Sequence, residues 1–227
     1  MLESLDLGSR KIWFRPGTSD SDAIHEVLIA QAYQPHKEVA VEKGEVWLDL
    51  GANIGAFAVH CITRGADVVC FEPEPGCFEL LAKNAPEARM MNIAVTAQHE
   101  RKVRFWTKPN PLNHWRGTTQ HVDGFVETSV HSMYAGSLPA VDGIKMDIEG
   151  GEHEILDSRL LPHCEKLCME YHTSRDPLVK NMRRRIDYLL DRFENVVLPL
   201  GMREALNSDY THYAPAEDGL IFAWGAL

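Results

Sequence analysis

The sequence predicts an α/β fold in which a doubly wound, mostly parallel sheet carries helices on both faces. The first observation is the apolar segment at residues 46–50 (Val-Trp-Leu-Asp-Leu), which is typical of a parallel strand buried on both faces. The second is the regular alternation of such segments with helical patterns from residue 46 to residue 171. The third is the recurrence of acidic residues near predicted strand ends, which would gather polar groups at one edge of the sheet.

Residues 1–45 are predicted to form an N-terminal cap segment that precedes the sheet. Residues 11–15 alternate in polarity and indicate a short strand, and residues 23–33 carry an apolar face that indicates a helix. Pro35 is expected to end this helix. Because the helix comes just before the first strand of the sheet, we expect it to cover the mouth of any site at the strand ends.

The chain is predicted to form a single domain over residues 1–227. Its main sheet is predicted to contain seven strands. The predicted strands are residues 46–50, 67–72, 88–95, 141–149, 166–171, 195–200 and 220–224. The predicted helices between them are residues 54–63, 77–84, 152–158 and 177–193. We expect the last two strands to form an antiparallel hairpin at the sheet edge.

Residues 98–132 interrupt the alternation and are predicted to form a β-rich insertion beside the main sheet. Two alternating segments flank a loop rich in Pro, Asn, Gly and Thr. We interpret the loop at residues 110–121 as a lid whose Trp115 and Arg116 contact the substrate. Trp106 is instead expected to pack on the sheet.

Composition limits the classes of partner. The formal net charge of −10 disfavours bulk attraction to nucleic acid or to an anionic membrane, although a local basic patch would still allow it. The five cysteines form no C-x-x-C pair, which favours a reducing compartment. No apolar run is long enough to span a membrane and no signal peptide is evident, so we expect a cytoplasmic enzyme.

The turn after the first predicted strand indicates a ligand site. The spacing Gly51-x-x-x-Gly55 differs from the G-x-G-x-x-G of dinucleotide-binding folds, and no Gly-Lys-Ser/Thr is present for a triphosphate. Asp49 lies before the turn, where a carboxylate could meet a cation, and Glu72 ends the next strand, where it could accept ribose hydroxyls. A cationic head and a ribose together indicate S-adenosylmethionine. The alternative is an ordinary α/β turn with a surface glutamate.

We assign the cofactor to residues at this edge of the sheet, with Asn92 or its backbone near the adenine ring. The predicted cofactor-binding residues are Asp49, Gly51, Asn53, Gly55, Glu72 and Asn92.

A second polar cluster is predicted beside the first. Lys145, Asp147 and Glu149 would share one face of a central strand, where buried charges must pair or serve chemistry. Glu170 and His172 end the next strand. The alternative is a structural ion-pair network.

Methyl transfer needs an aligned acceptor and a proton acceptor, which suggests roles for this cluster. Lys145 and Asp147 are the first candidates for the reacting centre, with Asp147 or His172 as base and Lys145 stabilising the developing charge. Glu149 and Glu170 are expected to contact the substrate. Alternatively, Asp147, Glu170 and His172 hold a divalent metal ion, for which carboxylates plus an imidazole suit magnesium, manganese or iron better than zinc.

The chain resembles the FkbM family of S-adenosylmethionine-dependent methyltransferases. The resemblance depends on residues 15–20 (Arg-Pro-Gly-Thr-Ser-Asp), 48–55 (Leu-Asp-Leu-Gly-Ala-Asn-Ile-Gly), 71–73 (Phe-Glu-Pro), 92–95 (Asn-Ile-Ala-Val) and 144–150 (Ile-Lys-Met-Asp-Ile-Glu-Gly). It implies a Rossmann-like sheet with a final antiparallel hairpin. It also implies methyl transfer to a hydroxyl of a sugar, glycolipid or secondary metabolite.

The sequence therefore predicts an S-adenosylmethionine-dependent methyltransferase that O-methylates a small-molecule or glycan acceptor. Two alternatives remain. One is an N-methyltransferase, or an enzyme that acts on a nucleic-acid or peptide acceptor, which the basic and aromatic segment at residues 101–116 supports and the net charge opposes. The other is a non-catalytic module that binds S-adenosylmethionine.

Overall fold

The computed structural model describes residues 2–107, 117–176, 178–207 and 218–227. The strands within these ranges are β1 (Glu3–Asp6), β2 (Lys11–Phe14), β3 (Val46–Leu50), β4 (Asp67–Phe71), β5 (Arg89–Met91), β6 (Ala94–Thr96), β7 (Lys102–Thr107), β8 (Gly117–Thr118), β9 (Val126–Tyr134), β10 (Val141–Met146), β11 (Cys164–Tyr171), β12 (Phe193–Val197) and β13 (Gly219–Ala226). The α-helices are α1 (Asp20–Ile24), α2 (Ala56–Arg64), α3 (Pro75–Asn84), α4 (Gly151–Asp157), α5 (Val179–Leu190) and α6 (Leu200–Asn207). Among the described helices, none combines the length and apolar content that a membrane crossing requires.

The predicted seven-stranded Rossmann-like sheet is confirmed within the described residues. Its strand order is β12-β13-β11-β10-β3-β4-β5. The pairs β11/β10, β10/β3, β3/β4 and β4/β5 are parallel, whereas β13 runs antiparallel to both of its neighbours. The carboxyl ends of β3, β4, β10 and β11 therefore meet at one edge, where doubly wound sheets bind their ligands.

The C-terminal antiparallel pair differs from a simple edge hairpin. β13 lies between β11 and β12, so that β12 is the edge strand. Helix α6 lies in the connection between β12 and β13 and was not predicted from the sequence.

The β-rich insertion is confirmed as a second sheet, with strand order β6-β9-β7-β8 among the described residues. It begins earlier than predicted, because the strand expected at residues 88–95 divides into β5 and β6. The two halves join different sheets, with bends at Asn92 and Ile93. The Asn92 side chain donates hydrogen bonds to the backbone oxygens of Glu72, at 2.8 Å, and Pro73, at 3.2 Å. This contact fixes the point at which the chain leaves the main sheet.

The helix predicted at residues 23–33 is shorter and irregular. Helix α1 passes into a π-helical turn at His25–Ile29, where the N–H of Ala30 donates to the oxygen of His25. Gln31 then adopts a left-handed conformation with φ of 50°, which ends the helical path.

Alternation along β3 explains why the sheet is buried on both faces. Trp47 packs into one apolar cluster with Phe57 of α2, and Leu48 and Leu50 pack into the other. All five cysteines are buried free thiols.

Candidate active site

A cavity of about 260 Å³ opens at the carboxyl edge of the sheet. The turn after β3 forms one side, and the residues that follow β10 and β11 form the other. The N-terminal segment also lines the cavity, through Ser19, Asp22, Ala23, Glu26, Val27 and Tyr33.

Gly51 allows two loops to approach each other closely. Its φ is 79°, and a Cβ atom built at this position would lie 1.8 Å from the backbone oxygen of Asp147. The N–H groups of Gly51 and Ala52 both donate to the oxygen of Phe71 at 3.0 Å. The glycine is therefore required by the packing of the turn, which in turn places Gly51, Ala52 and Asn53 on the cavity wall.

Gly55 was predicted to contact the cofactor, but in the structure it packs between two helices. It is the N-cap of α2, with φ of 90°, and an added Cβ would lie 2.8 Å from Cδ1 of Leu81. Gly55 lies outside the cavity lining, so its role is the close packing of α2 on α3.

Glu72 lines the cavity and is only 7% exposed. Its Oε2 accepts the N–H of Asn53 at 2.8 Å, and its Oε1 accepts the N–H of Glu74 at 2.7 Å. Burial raises the pKa of Glu72 to about 7, although these two hydrogen bonds oppose the rise. Each oxygen keeps a further lone pair for a ligand hydroxyl.

The Asn92 side chain is directed to the β4 loop rather than to the cavity. The cavity wall at this point consists of Ile93, Ala94 and Val95. Asn92 is therefore not part of the cavity wall, where the sequence predicted a contact with an adenine ring.

Asp49 does not line the cavity, contrary to the prediction that it meets a ligand cation. Its side chain is fully buried, and Oδ1 lies 3.3 Å from Nζ of Lys145, its in-register neighbour on β10. Burial raises the pKa of Asp49, and the attraction of Lys145 limits the rise. Sequence reasoning missed this pairing because it joins two strands that are far apart in the chain.

Lys145 is the member of this buried pair that lines the cavity. Its Nζ donates to the backbone oxygen of Gly51 at 2.7 Å and lies 3.8 Å from Oδ2 of Asp147. Burial acts to lower the pKa of Lys145, but Asp49 and Asp147 together raise it above its ordinary value. The side chain is therefore a fixed positive charge at the cavity wall.

Asp147 and Glu149 reach the site by a turn rather than along a strand. β10 ends at Met146, and Glu149 has φ of 54° in the bend before α4. Asp147 Oδ2 accepts a hydrogen bond from the hydroxyl of Tyr33 at 3.2 Å, a contact that the sequence did not indicate.

His172 is held by Glu152, the second residue of α4. Oε1 of Glu152 accepts the backbone N–H of His172 at 2.9 Å and lies 3.0 Å from Nδ1. Oε2 accepts the N–H of Gly150 at 2.8 Å. Burial opposes ionisation, but the interactions with His172 lower the pKa of Glu152 to about 2. The carboxylate therefore keeps the proton of His172 on Nδ1 and directs Nε2 elsewhere.

Nε2 of His172 faces three carboxylates. The distances are 3.6 Å to Oε2 of Glu149, 3.9 Å to Oδ1 of Asp147 and 4.0 Å to Oε2 of Glu170. Burial acts to lower the pKa of His172, but Glu152, Asp147 and Glu149 raise it to about 10. Burial and Asp147 raise the pKa of Glu170 to about 8.

The structure thus brings together all five predicted polar residues of the second cluster, Lys145, Asp147, Glu149, Glu170 and His172, around one cavity. Glu152 and Tyr33 complete it. An acidic residue in the first turn of a helix after two glycines was the available signal for Glu152, whereas Tyr33 had none. The predicted substrate residues Trp115 and Arg116 lie outside the described residues.

Residues 49–193 match the methyltransferase FkbM domain family. The matched segment contains the glycine turn, Glu72, Glu152 and the five predicted residues of the second cluster. The chain belongs to the FkbM methyltransferase family. The expected resemblance is confirmed.

The relatives of this FkbM domain include a hexuronic acid methyltransferase, AglP, of Haloferax volcanii. The two are 27% identical over 143 residues, which cover 60% of this chain and 59% of the relative. The chain therefore matches less than two thirds of that protein's length.

Solved structures show a general likeness. Fibrillarin of Aeropyrum pernix, in complex with natively bound S-adenosyl-L-methionine, is 14% identical, with a TM-score of 0.45 and coverage of 98% of this chain and 82% of that one. A TehB-like SAM-dependent methyltransferase of Corynebacterium glutamicum is 13% identical, with a TM-score of 0.44 and coverage of 93% and 100%. The family assignment depends on the sequence match alone.

Proposed function

We propose that the protein is an S-adenosylmethionine-dependent O-methyltransferase that acts on a hydroxyl of a sugar or glycan. The observation that carries the proposal is that one cavity joins two different sites. The glycine turn and Glu72 line one part, and the carboxylates around His172 line the other. A donor and an acceptor can therefore meet inside it.

The residues of the first part fit S-adenosylmethionine. Oδ1 of Asn53 is buried and has no hydrogen-bond partner among the described residues, so a ligand ammonium or hydroxyl group would satisfy it. Glu72 would accept the ribose hydroxyls, and the wall at Ile93, Ala94 and Val95 would contact the adenine ring. The family match supports the same ligand.

S-adenosylmethionine supplies an electrophilic methyl group: the acceptor oxygen forms the new C–O bond while the C–S bond breaks and its electron pair stays on sulfur. The chain must then align the acceptor oxygen and receive its proton. His172 holds a proton at neutral pH because its pKa is about 10, so the proton acceptors are the carboxylates around it. Lys145 and the hydroxyl of Tyr33 both contact Asp147 and fix its orientation.

A sugar acceptor is supported by the matched relative, which is described as a hexuronic acid methyltransferase. The chain covers only part of that protein, so the likeness supports the acceptor class and not an individual sugar. The formal net charge of −10 disfavours a nucleic-acid acceptor.

An amine acceptor is the second candidate, because one observation favours it. Glu26, Asp147 and Glu149 give the cavity an acidic wall, which would attract an ammonium group. The amine would have to lose its proton to the same carboxylates before it could accept a methyl group.

The test is transfer of labelled methyl from S-adenosylmethionine to neutral oligosaccharides, uronic-acid oligosaccharides and amines. We expect label in a sugar as a methyl ether that resists mild alkali, which separates it from a methyl ester. We expect Asp147→Asn to lower kcat by about 10²- to 10⁴-fold and to leave the affinity for S-adenosylmethionine unchanged.

Asp187→Asn is the matched control, since Asp187 lies on the exposed face of α5. Label found only in amines would favour the second candidate. Full activity of Asp147→Asn would contradict the assignment of the reacting centre, and binding of S-adenosylmethionine without transfer to any acceptor would favour a binding module.

A further inference from the structure

We propose that Asp147, Glu170 and His172 bind a divalent metal ion, to which oxygens of the acceptor also bind. The role of the acceptor depends on the proposed function, whereas the metal site itself does not. One ligand atom from each of the three side chains lies within 4.8 Å of the others. All three residues line the cavity, so an ion there would keep open positions on the side of the substrate.

The distances are close to those of a chelating set. Two atoms that each lie about 2.1 Å from one ion are at most about 4.2 Å apart. Nε2 of His172 is 3.9 Å from Oδ1 of Asp147 and 4.0 Å from Oε2 of Glu170. Small side-chain movements would bring these atoms to an ion placed between them.

His172 is oriented as a metal ligand. It is 4% exposed, and Glu152 engages its Nδ1, which leaves Nε2 as the nitrogen that faces the cluster. Nε2 has no hydrogen-bond partner among the described residues, and its nearest carboxylate oxygen, on Glu149, is 3.6 Å away. A carboxylate that holds the distal nitrogen of a ligating histidine is a common support of metal sites.

The charge of the cavity supplies an independent argument. Asp147 and Glu170 lie beside the same imidazole, and Glu26 and Glu149 line the same wall. Nζ of Lys145 is already engaged by Gly51 and Asp49. A uronic acid would meet charge repulsion there unless a cation stood between its oxygens and those of the wall.

Two carboxylates and one imidazole suit Mg²⁺ or Mn²⁺, and binding would release the proton that Nε2 of His172 carries without an ion. We expect Mn²⁺ to bind more tightly, because it ranks higher than Mg²⁺ as a partner of nitrogen ligands. With three positions filled by the chain, the ion would lower the pKa of a bound acceptor hydroxyl, and the proton would pass to Glu149, which is not one of the three ligands.

The experiment is calorimetric titration of the chelator-treated protein with MnCl₂ alone, without S-adenosylmethionine or acceptor. We expect one ion per chain. Glu170→Gln keeps the shape of the side chain but removes a charged ligand. We expect it to weaken Mn²⁺ binding by at least about tenfold, because loss of a residue that only supports a ligand already costs that much. Asp187→Asn should bind as the wild type does, and circular dichroism should show that all variants are folded.

His172→Gln gives a second ligand variant with the same expected loss. The proposal is overturned if the wild type binds no Mn²⁺ up to about 1 mM, the weak end of protein cation sites, or if neither ligand variant weakens binding. Mn²⁺ binding without methyl transfer would leave the metal site standing and count against the proposed function. Full methyl transfer in excess chelator would support the proposed function and overturn the role of the ion.

Discussion

Glu152 holds His172 through two hydrogen bonds to one oxygen, from the backbone N–H at 2.9 Å and at Nδ1 at 3.0 Å. The other oxygen of Glu152 accepts the N–H of Gly150. One fully buried carboxylate therefore connects the start of α4 to the end of β11. It sets the direction of the imidazole that faces the cavity, and Glu152 itself is not part of the cavity lining.

Replacing this positioning residue should impair turnover more than donor binding. In Glu152→Gln one amide nitrogen replaces an accepting oxygen, so either Gly150 or His172 loses its partner. We expect kcat to fall by about 10- to 100-fold, with the affinity for S-adenosylmethionine unchanged. Steady-state kinetics and calorimetry measure both quantities. Glu154→Gln, two residues along α4, is the control, and equal effects of the two variants would contradict the positioning role.

The Asp49–Lys145 pair should be a large determinant of stability. Lys145→Met leaves the fully buried Asp49 without its partner, and removing one member of a buried pair costs about 3–5 kcal/mol. Lys37→Met is the control, because the Lys37 side chain is 91% exposed and lies 3.9 Å from Glu38. Urea unfolding gives both free energies. The double variant Asp49→Asn/Lys145→Met should regain part of the loss, and equal stabilities of the two lysine variants would contradict the account.

Gly51 offers a test in which backbone strain is matched. Gly51 and Gly124 share a φ of 79°, but an added Cβ meets the oxygen of Asp147 at the first and nothing within 4 Å at the second. Both alanine variants should lose about 1–2 kcal/mol for the left-handed conformation, and Gly51→Ala should lose more because the loops must separate. Urea unfolding measures the difference. Similar losses of unfolding free energy in the two variants would show that the close approach of Gly51 to the oxygen of Asp147 does not require a glycine.

Glu72 should make stability depend on pH. Its folded pKa of about 7 lies above the ordinary value of 4.5, so the folded chain favours the protonated form. Its contribution to stability is complete below pH 4.5 and is lost as the pH rises through about 7. At about 1.4 kcal/mol per pKa unit, the wild type should lose roughly 3 kcal/mol relative to Glu72→Gln across this window. Urea unfolding at several pH values measures the difference, and a constant difference between the two proteins would contradict the raised pKa.

Much of the sheet could be predicted from the sequence because local patterns determine it. The apolar segment at residues 46–50 coincides with β3, and the segment at residues 67–72 matches β4 to within one residue. The gathering of the polar residues at one edge followed from the parallel topology. The apolar pattern of each strand and the alternation of strands with helices are enough to predict such a sheet, because strands that are apolar on both faces are typical of parallel sheets covered by helices.

The remaining features depend on contacts between distant segments. The inward direction of Asp49 depends on Lys145 of another strand, and the division of β5 from β6 depends on the contact of Asn92 with the β4 loop. The contact of Tyr33 with Asp147 joins residues 114 positions apart. A single sequence shows that these residues are polar or aromatic, but their partners are set only when the chain is folded.

Calorimetric titration of the folded wild type with S-adenosylmethionine is the most direct test of the central claim that the glycine turn and Glu72 form a donor site. The account predicts binding with one molecule per chain, lost in Gly51→Ala and retained in Gly124→Ala. Absence of binding to the folded wild type, or equal binding to the two alanine variants, would contradict it.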